Sequence, residues 1–138
     1  TNIYFSTLKW YDKNKRDLPW RKSKDTYKIW LSEIMLQQTQ VKTVIPFYNR
    51  WLKNYKSVYD VANADIDDLL KEWEGLGYYS RCRNFHNACK IVVEKYDGHI
   101  PNDYDVFILL PGVGSYIASA VLSISYNNNL PAFDVNFI

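Results

Sequence analysis

Apolar residues in this chain recur at three- and four-residue spacings over most of its length, and no alternating runs are joined by Asn-Gly or Asp-Gly. A period near 3.6 buries one stripe of a helix, whereas a half-buried strand needs a period of 2. The pattern restricts the fold to an all-α domain of about seven or eight short helices. Residues 2–14 read as a first helix, ending before the Pro-containing connector "RDLPWRKS". "DTYKIWLSEIMLQQT" follows, with Asp25 or Thr26 as N-cap and Ile29, Trp30, Leu31, Ile34 and Met35 on the buried side. "QVKTVIPFYNRWLKNY" is a third helix, with Pro46 in a first turn or at a kink. "SVYDVANA" leads to "DIDDLLKEWEG", whose Asp65–Asp68 suit a helix start by dipole sign and whose Gly75 suits its stop. "GLGYYSRCRNFHNACKIVVEKYDG" reads as a turn and a long helix ending at Asp97-Gly98; "NDYDVFILL" and "GSYIASAVLSISYNN" complete the set.

The 138 residues are 47% apolar, enough for one core. A formal charge of +2 does not single out a polyanion binder, but the charge is unevenly spread. Residues 9–24 hold seven Lys/Arg against two Asp, and residues 60–74 hold six acids against one Lys. Such segregation orients an anionic partner; two ordinary solvated faces fit it equally. Cys82 and Cys89 stand seven apart on one side of a helix, too far for disulfide geometry, and are expected to pack as small apolar groups. No stretch nears the roughly 18 apolar residues of a membrane span. Nor does the N-terminus carry a basic-then-apolar signal pattern, so a soluble, cytoplasmic protein is expected, nucleoid-associated if bacterial. The chain does not begin with Met and stops directly after "PAFDVNFI", as expected of a portion of a longer protein.

Two helices joined by "LPGVG" can turn tightly, because Gly112 and Gly114 accept φ > 0 and leave room for a close neighbour. Val113 between them is expected to point inward. The amides opening the next helix then converge with a favourable dipole, which suits a phosphate oxygen. A plain αα connection would use the same residues.

Embedded before "SYIASAVLS", the hairpin resembles the helix-hairpin-helix of DNA repair glycosylases. The segments "LPWR" (18–21), "WLSEIMLQQTQVKTVIPFY" (30–48), "WEGLGYYSRCRNFHNA" (73–88) and "LPGVGSYIASAVLS" (110–123) are similar to the adenine DNA glycosylase family, in order and separation. "LQQTQV" and "GLGYYSR" are the most specific of these. The resemblance implies the all-α helix-hairpin-helix glycosylase fold shared with endonuclease III. Residues 1–18 would belong to a second, incomplete helical domain. Residues 19–129 would form the barrel-like domain, with the hairpin motif at about 103–126, and 130–138 would start the return segment carrying Asp134.

The implied activity is that of a monofunctional DNA glycosylase in base excision repair, hydrolysing the N-glycosidic bond of adenine mispaired with 8-oxoguanine or guanine. Extruding a base costs a few kcal/mol in lost stacking and pairing. By resemblance Gln38 and Tyr78 enter the base stack, and Gln37, Thr39, Gly112, Val113, Gly114 and Ser115 meet the DNA. Trp20, Arg21 and Leu36 match positions that contact the extruded adenine. Bond cleavage needs an acid for the leaving base and a negative group near the developing sugar cation, roles for two carboxylates in different environments. Glu33 is the candidate acid, since Trp30, Leu31, Ile34 and Leu36 disfavour its charged form. Asp134 is the candidate sugar-side carboxylate. Tyr116 occupies the slot where the bifunctional branch has a Lys that forms a Schiff base. A phenol cannot do that, so water is the implied nucleophile, with Tyr116 hydrogen-bonding near Asp134 and Asn136 positioning that site. Taken singly, Gln38 also fits an exposed helix end, Tyr78 a core aromatic, and Glu33 and Asp134 solvated or capping groups.

The family pattern Asp-Gly-Asn-Val is here Asp134-Val135-Asn136-Phe137, which places a β-branched residue where a Gly stood. No cofactor or metal is expected on these residues; a [4Fe-4S] cluster is expected only on sequence beyond Ile138. The expected partner is double-stranded DNA with an adenine mispair, bound by a monomer, with no membrane. Two other readings stay open: a thymine or other mismatch glycosylase of the same superfamily, and a non-catalytic DNA-binding helical fragment.

Overall fold

The computed structural model describes residues 25–126. The expected first helix and its connector, and everything from residue 127, lie outside them. The described chain forms seven helices: α1 Thr26–Leu36, α2 Val41–Asn54, α3 Val58–Asn63, α4 Ile66–Trp73, α5 Tyr79–Tyr96, α6 Tyr104–Phe107 and α7 Ser115–Tyr126. There is no strand among the described residues.

Local chemistry sets the helix ends. The side chain of Asp25 accepts from the Tyr27 amide at 3.0 Å, Asp65 does the same for Asp67, and Asp103 for Asp105 at 2.9 Å. Gly75, one residue past the α4 cap, has φ +97°, and α5 stops at left-handed Asp97 with the Gly98 amide bonded to the Val92 carbonyl. Pro46 is the sixth residue of α2, beyond the first turn, so its ring removes the helical bond to Lys42. The helix continues through it because Val44, Tyr48 and Trp51 dock one stripe into the core.

Seven consecutive residues of α1, Ile29–Met35, are buried, so this helix has no solvent face over two turns. The expected stripe was too narrow: Ser32 and Glu33 are buried as well. Helices α2 and α7 pack on α1, α3 and α4 pack on α5, and α6 adjoins α7. An aromatic chain ties the layers together. Trp30 meets Phe85 edge-on at 4.8 Å and Phe107 at 5.2 Å; Trp51 meets Trp73 at 5.6 Å and Phe85 at 6.3 Å. The Trp51 indole donates to the Tyr27 hydroxyl, which donates to the Tyr55 carbonyl. Cys82 and Cys89 are buried and unbridged on the same face of α5, as expected.

The loop between α6 and α7 rests on α5. Gly112 has φ +76°, and a Cβ there would stand 2.8 Å from the Asn84 Cβ. Gly114 has neither constraint: its φ is not left-handed and a Cβ would meet nothing within 4 Å. Both glycines can accept φ > 0, and of the two Gly112 alone takes it, since a single left-handed residue completes the turn.

Phe85→Ala should lower unfolding free energy by about 3–5 kcal/mol in urea titration, because its ring joins α1, α2 and α5. Gly112→Ala should cost about 1–3 kcal/mol, while Gly114→Ala should stay within about 0.5 kcal/mol. Equal effects at the two glycines would contradict this account of the turn.

Candidate active site

Glu33 enters the core because the helix that carries it is buried on all sides. Its side chain is 1% exposed, and Ser32 beside it turns its hydroxyl back onto the Ile29 carbonyl at 2.7 Å. Burying a carboxyl among apolar side chains is costly unless hydrogen bonds offset the lost hydration. Here the Tyr116 hydroxyl donates to Glu33 Oε1 at 3.2 Å, from a residue 83 positions away at the second position of α7. The packing of α7 on α1 makes this pair, and no spacing rule on the chain announces it. Tyr116 was expected beside Asp134; the described contact is with Glu33. Trp20, Arg21, Asp134 and Asn136 lie outside the described residues.

Leu36, half-buried, ends α1, and the chain turns through Gln37, Gln38 and Thr39 into α2. Gln38 is exposed with φ +60°. Tyr78, at φ +50° and 58% exposed, opens α5 in the same left-handed region. Its exposure rules out the core-aromatic reading. Left-handed backbone at a non-Gly residue costs of order 1–3 kcal/mol and persists where surroundings enforce it.

Arg81 contacts both turns. Its guanidinium donates through Nη1 to the carbonyls of Ile34 and Met35, both at 2.9 Å, and of Gln37. Through Nη2 it donates to Thr39 Oγ1 at 3.2 Å and the Gly77 carbonyl at 3.1 Å, and through Nε to the Tyr78 carbonyl at 3.4 Å. The same group lies over the rings of Trp73 and Tyr78, at 5.5 and 5.3 Å. It thereby caps carbonyls at the C-terminal end of α1. Partial burial lowers its pKa from the usual arginine value. Motif reading passed over Arg81, although one signal was available. A cation in a helix's first turn opposes the dipole, so acceptors from elsewhere must hold it.

In the hairpin, Val113 is buried, as expected, so only its backbone can meet a ligand; Gly112, Gly114 and Ser115 are exposed. A cleft of about 300 Å³ lined by Asp25, Tyr27, Lys56, Tyr59, His99 and Tyr126 contains none of the expected site residues. Among the described residues no group of three or more His, Cys, Asp or Glu is placed to hold a metal ion. Both cysteines are enclosed: burial pushes the Cys82 thiol up to about 12 and raises Cys89 well above the ordinary thiol value. No helix of the described residues is long and apolar enough to cross a membrane.

Over 129 residues the chain is 44% identical to the adenine DNA glycosylase of Buchnera aphidicola subsp. Baizongia pistaciae, covering 92% of this chain and 37% of that protein. It is 42% identical over 140 residues to the adenine DNA glycosylase of Homo sapiens, covering 95% and 26%. The chain spans well under half the length of these curated relatives. Among solved structures, a thermostable thymine-DNA glycosylase matches with TM-score 0.78 at 27% identity, covering 92% of this chain and 59% of that one. A non-covalent endonuclease III–DNA complex matches at 0.68 and 25% identity, covering 72% and 47%. The family described as HhH-GPD superfamily base excision DNA repair protein matches residues 31–138, and the all-helical architecture agrees with it. The chain therefore belongs to the HhH-GPD superfamily of base excision DNA repair proteins.

Proposed function

We propose that this chain carries the base-excising machinery of a monofunctional DNA glycosylase, which hydrolyses the N-glycosidic bond of adenine mispaired with 8-oxoguanine or guanine in duplex DNA. The observation that carries this reading is the buried Glu33 held by Tyr116. An enclosed carboxyl keeps its proton more readily than one in water, and a proton delivered to the leaving base is what the reaction needs. The hydroxyl at position 116 orients that acid and offers no amine for a Schiff base. Asp134 is proposed to face the sugar cation with Asn136 beside it, and Trp20, Arg21 and Leu36 to hold the extruded adenine. Gln38 and Tyr78 are proposed to fill the gap in the stack, a role their exposure supports. The hairpin amides at Gly112–Ser115 would grip phosphate. The protein would act as a monomer without a cofactor on these residues. Adenine DNA glycosylases at 42–44% identity support the choice of base. The likeness to a thymine-DNA glycosylase favours a second reading, excision of thymine from a mispair.

Single-turnover reactions on duplexes with adenine opposite 8-oxoguanine, adenine opposite guanine, and thymine opposite guanine decide between them. Strand breaks should appear at adenine after alkali and be absent without it; product only from the thymine duplex would overturn the adenine reading. Glu33→Gln should lower the excision rate about 10²- to 10⁴-fold with duplex affinity retained. A normal rate in this variant would remove Glu33 as the acid. Borohydride should trap no covalent complex with the wild type, whereas Tyr116→Lys should give one if the side chain at 116 reaches the sugar.

A further inference from the structure

We propose that Arg81 is a positioning residue: one guanidinium sets the Gln38 turn and the Tyr78 turn against each other, so that both side chains reach DNA from fixed backbones. This rests on the reading of Gln38 and Tyr78 as the residues that enter the base stack. The two turns are separated by α2, α3 and α4 in the chain, and hydrogen bonds of Arg81 reach both. On one side it takes the carbonyls of Ile34, Met35 and Gln37 and the hydroxyl of Thr39, bracketing Gln38. On the other it takes the carbonyls of Gly77 and Tyr78, with the Tyr78 ring against its face. All five N–H groups of the side chain are used, in a planar array that no other residue type provides. Gln38 and Tyr78 are also, with Asp97, the non-Gly residues of positive φ among those described. Two strained, exposed residues on one cation make a preorganised pair. Because Ile34 and Met35 directly follow Glu33, the same cation holds the end of the helix that carries the acid.

Lysine at this position keeps the charge and loses the fork. In the full chain, Arg81→Lys should shift the Cα and Cβ resonances of Gln38 and Tyr78 together, away from left-handed values. Single-turnover excision should fall about 10²-fold, the usual consequence of an ångström-scale misplacement. Duplex affinity should change less than about threefold, since no charge is lost. Adding Tyr78→Ala to Arg81→Lys should cost far less than Tyr78→Ala alone, because the two side chains act as one unit. Thr39→Val removes one acceptor of Arg81, with the hydroxyl's own bond to the Gln37 carbonyl, and should move Gln38 while leaving Tyr78 in place; it carries the test if Arg81→Lys fails to fold. Unchanged resonances at both residues, a wild-type excision rate, or independent effects of the two substitutions would overturn the proposal. If the wild type excises no base, the glycosylase reading falls, while the resonance shifts still decide what Arg81 holds.

Discussion

Helix α1 has no solvent-exposed face over two turns, and the rest of the described structure is arranged to cover it. Helices α2 and α7 lie along it, while Phe85 of α5 and Phe107 of α6 close on Trp30. Enclosure of an apolar helix is ordinary hydrophobic packing. Its chemical consequence is that Glu33, on that helix, goes inside as well. A carboxyl placed this way is protected from water and must be hydrogen-bonded, and Tyr116 of α7 supplies such a bond at Oε1. Packing and chemistry thus share one interface, α1 against α7.

The ends of such a helix pose a second problem, since its last carbonyls have no intrahelical donors. The chain solves it with a side chain from the start of α5, and in doing so joins the buried helix to the exposed turns at Gln38 and Tyr78. The helix that carries the enclosed acid and the two exposed turns are therefore linked through one side chain. That arrangement suits an enzyme that must hold duplex and base in register before bond cleavage, as the glycosylase reading requires.

Much of the helical layout was legible because it depends on neighbours in the chain. The caps at Asp25 and Asp65, the stop at Asp97-Gly98 and the inward Val113 follow from local chemistry that acts over a few residues. Pro46 was ambiguous for the same reason: its local cost argues against a helix interior, and the docking of Val44, Tyr48 and Trp51 overrides that cost. Gly114 invited the same reading as Gly112, and the left-handed φ of Gly112 together with the approach of Asn84 separates them. The candidate site was legible as a set of residue types in matched segments, without the contacts among them.

The sequence by itself determined that the chain is helical, where most helices start and stop, and which residues are candidates for excision chemistry; periodicity and capping act within one or two turns. Tertiary structure alone decided that α1 is buried on every side, that Tyr78 faces outward, that Tyr116 meets Glu33 across 83 positions, and that Arg81 joins two turns. Each of these depends on how helices dock, and docking is set by the fit of whole surfaces rather than by the spacing of residues along any one helix.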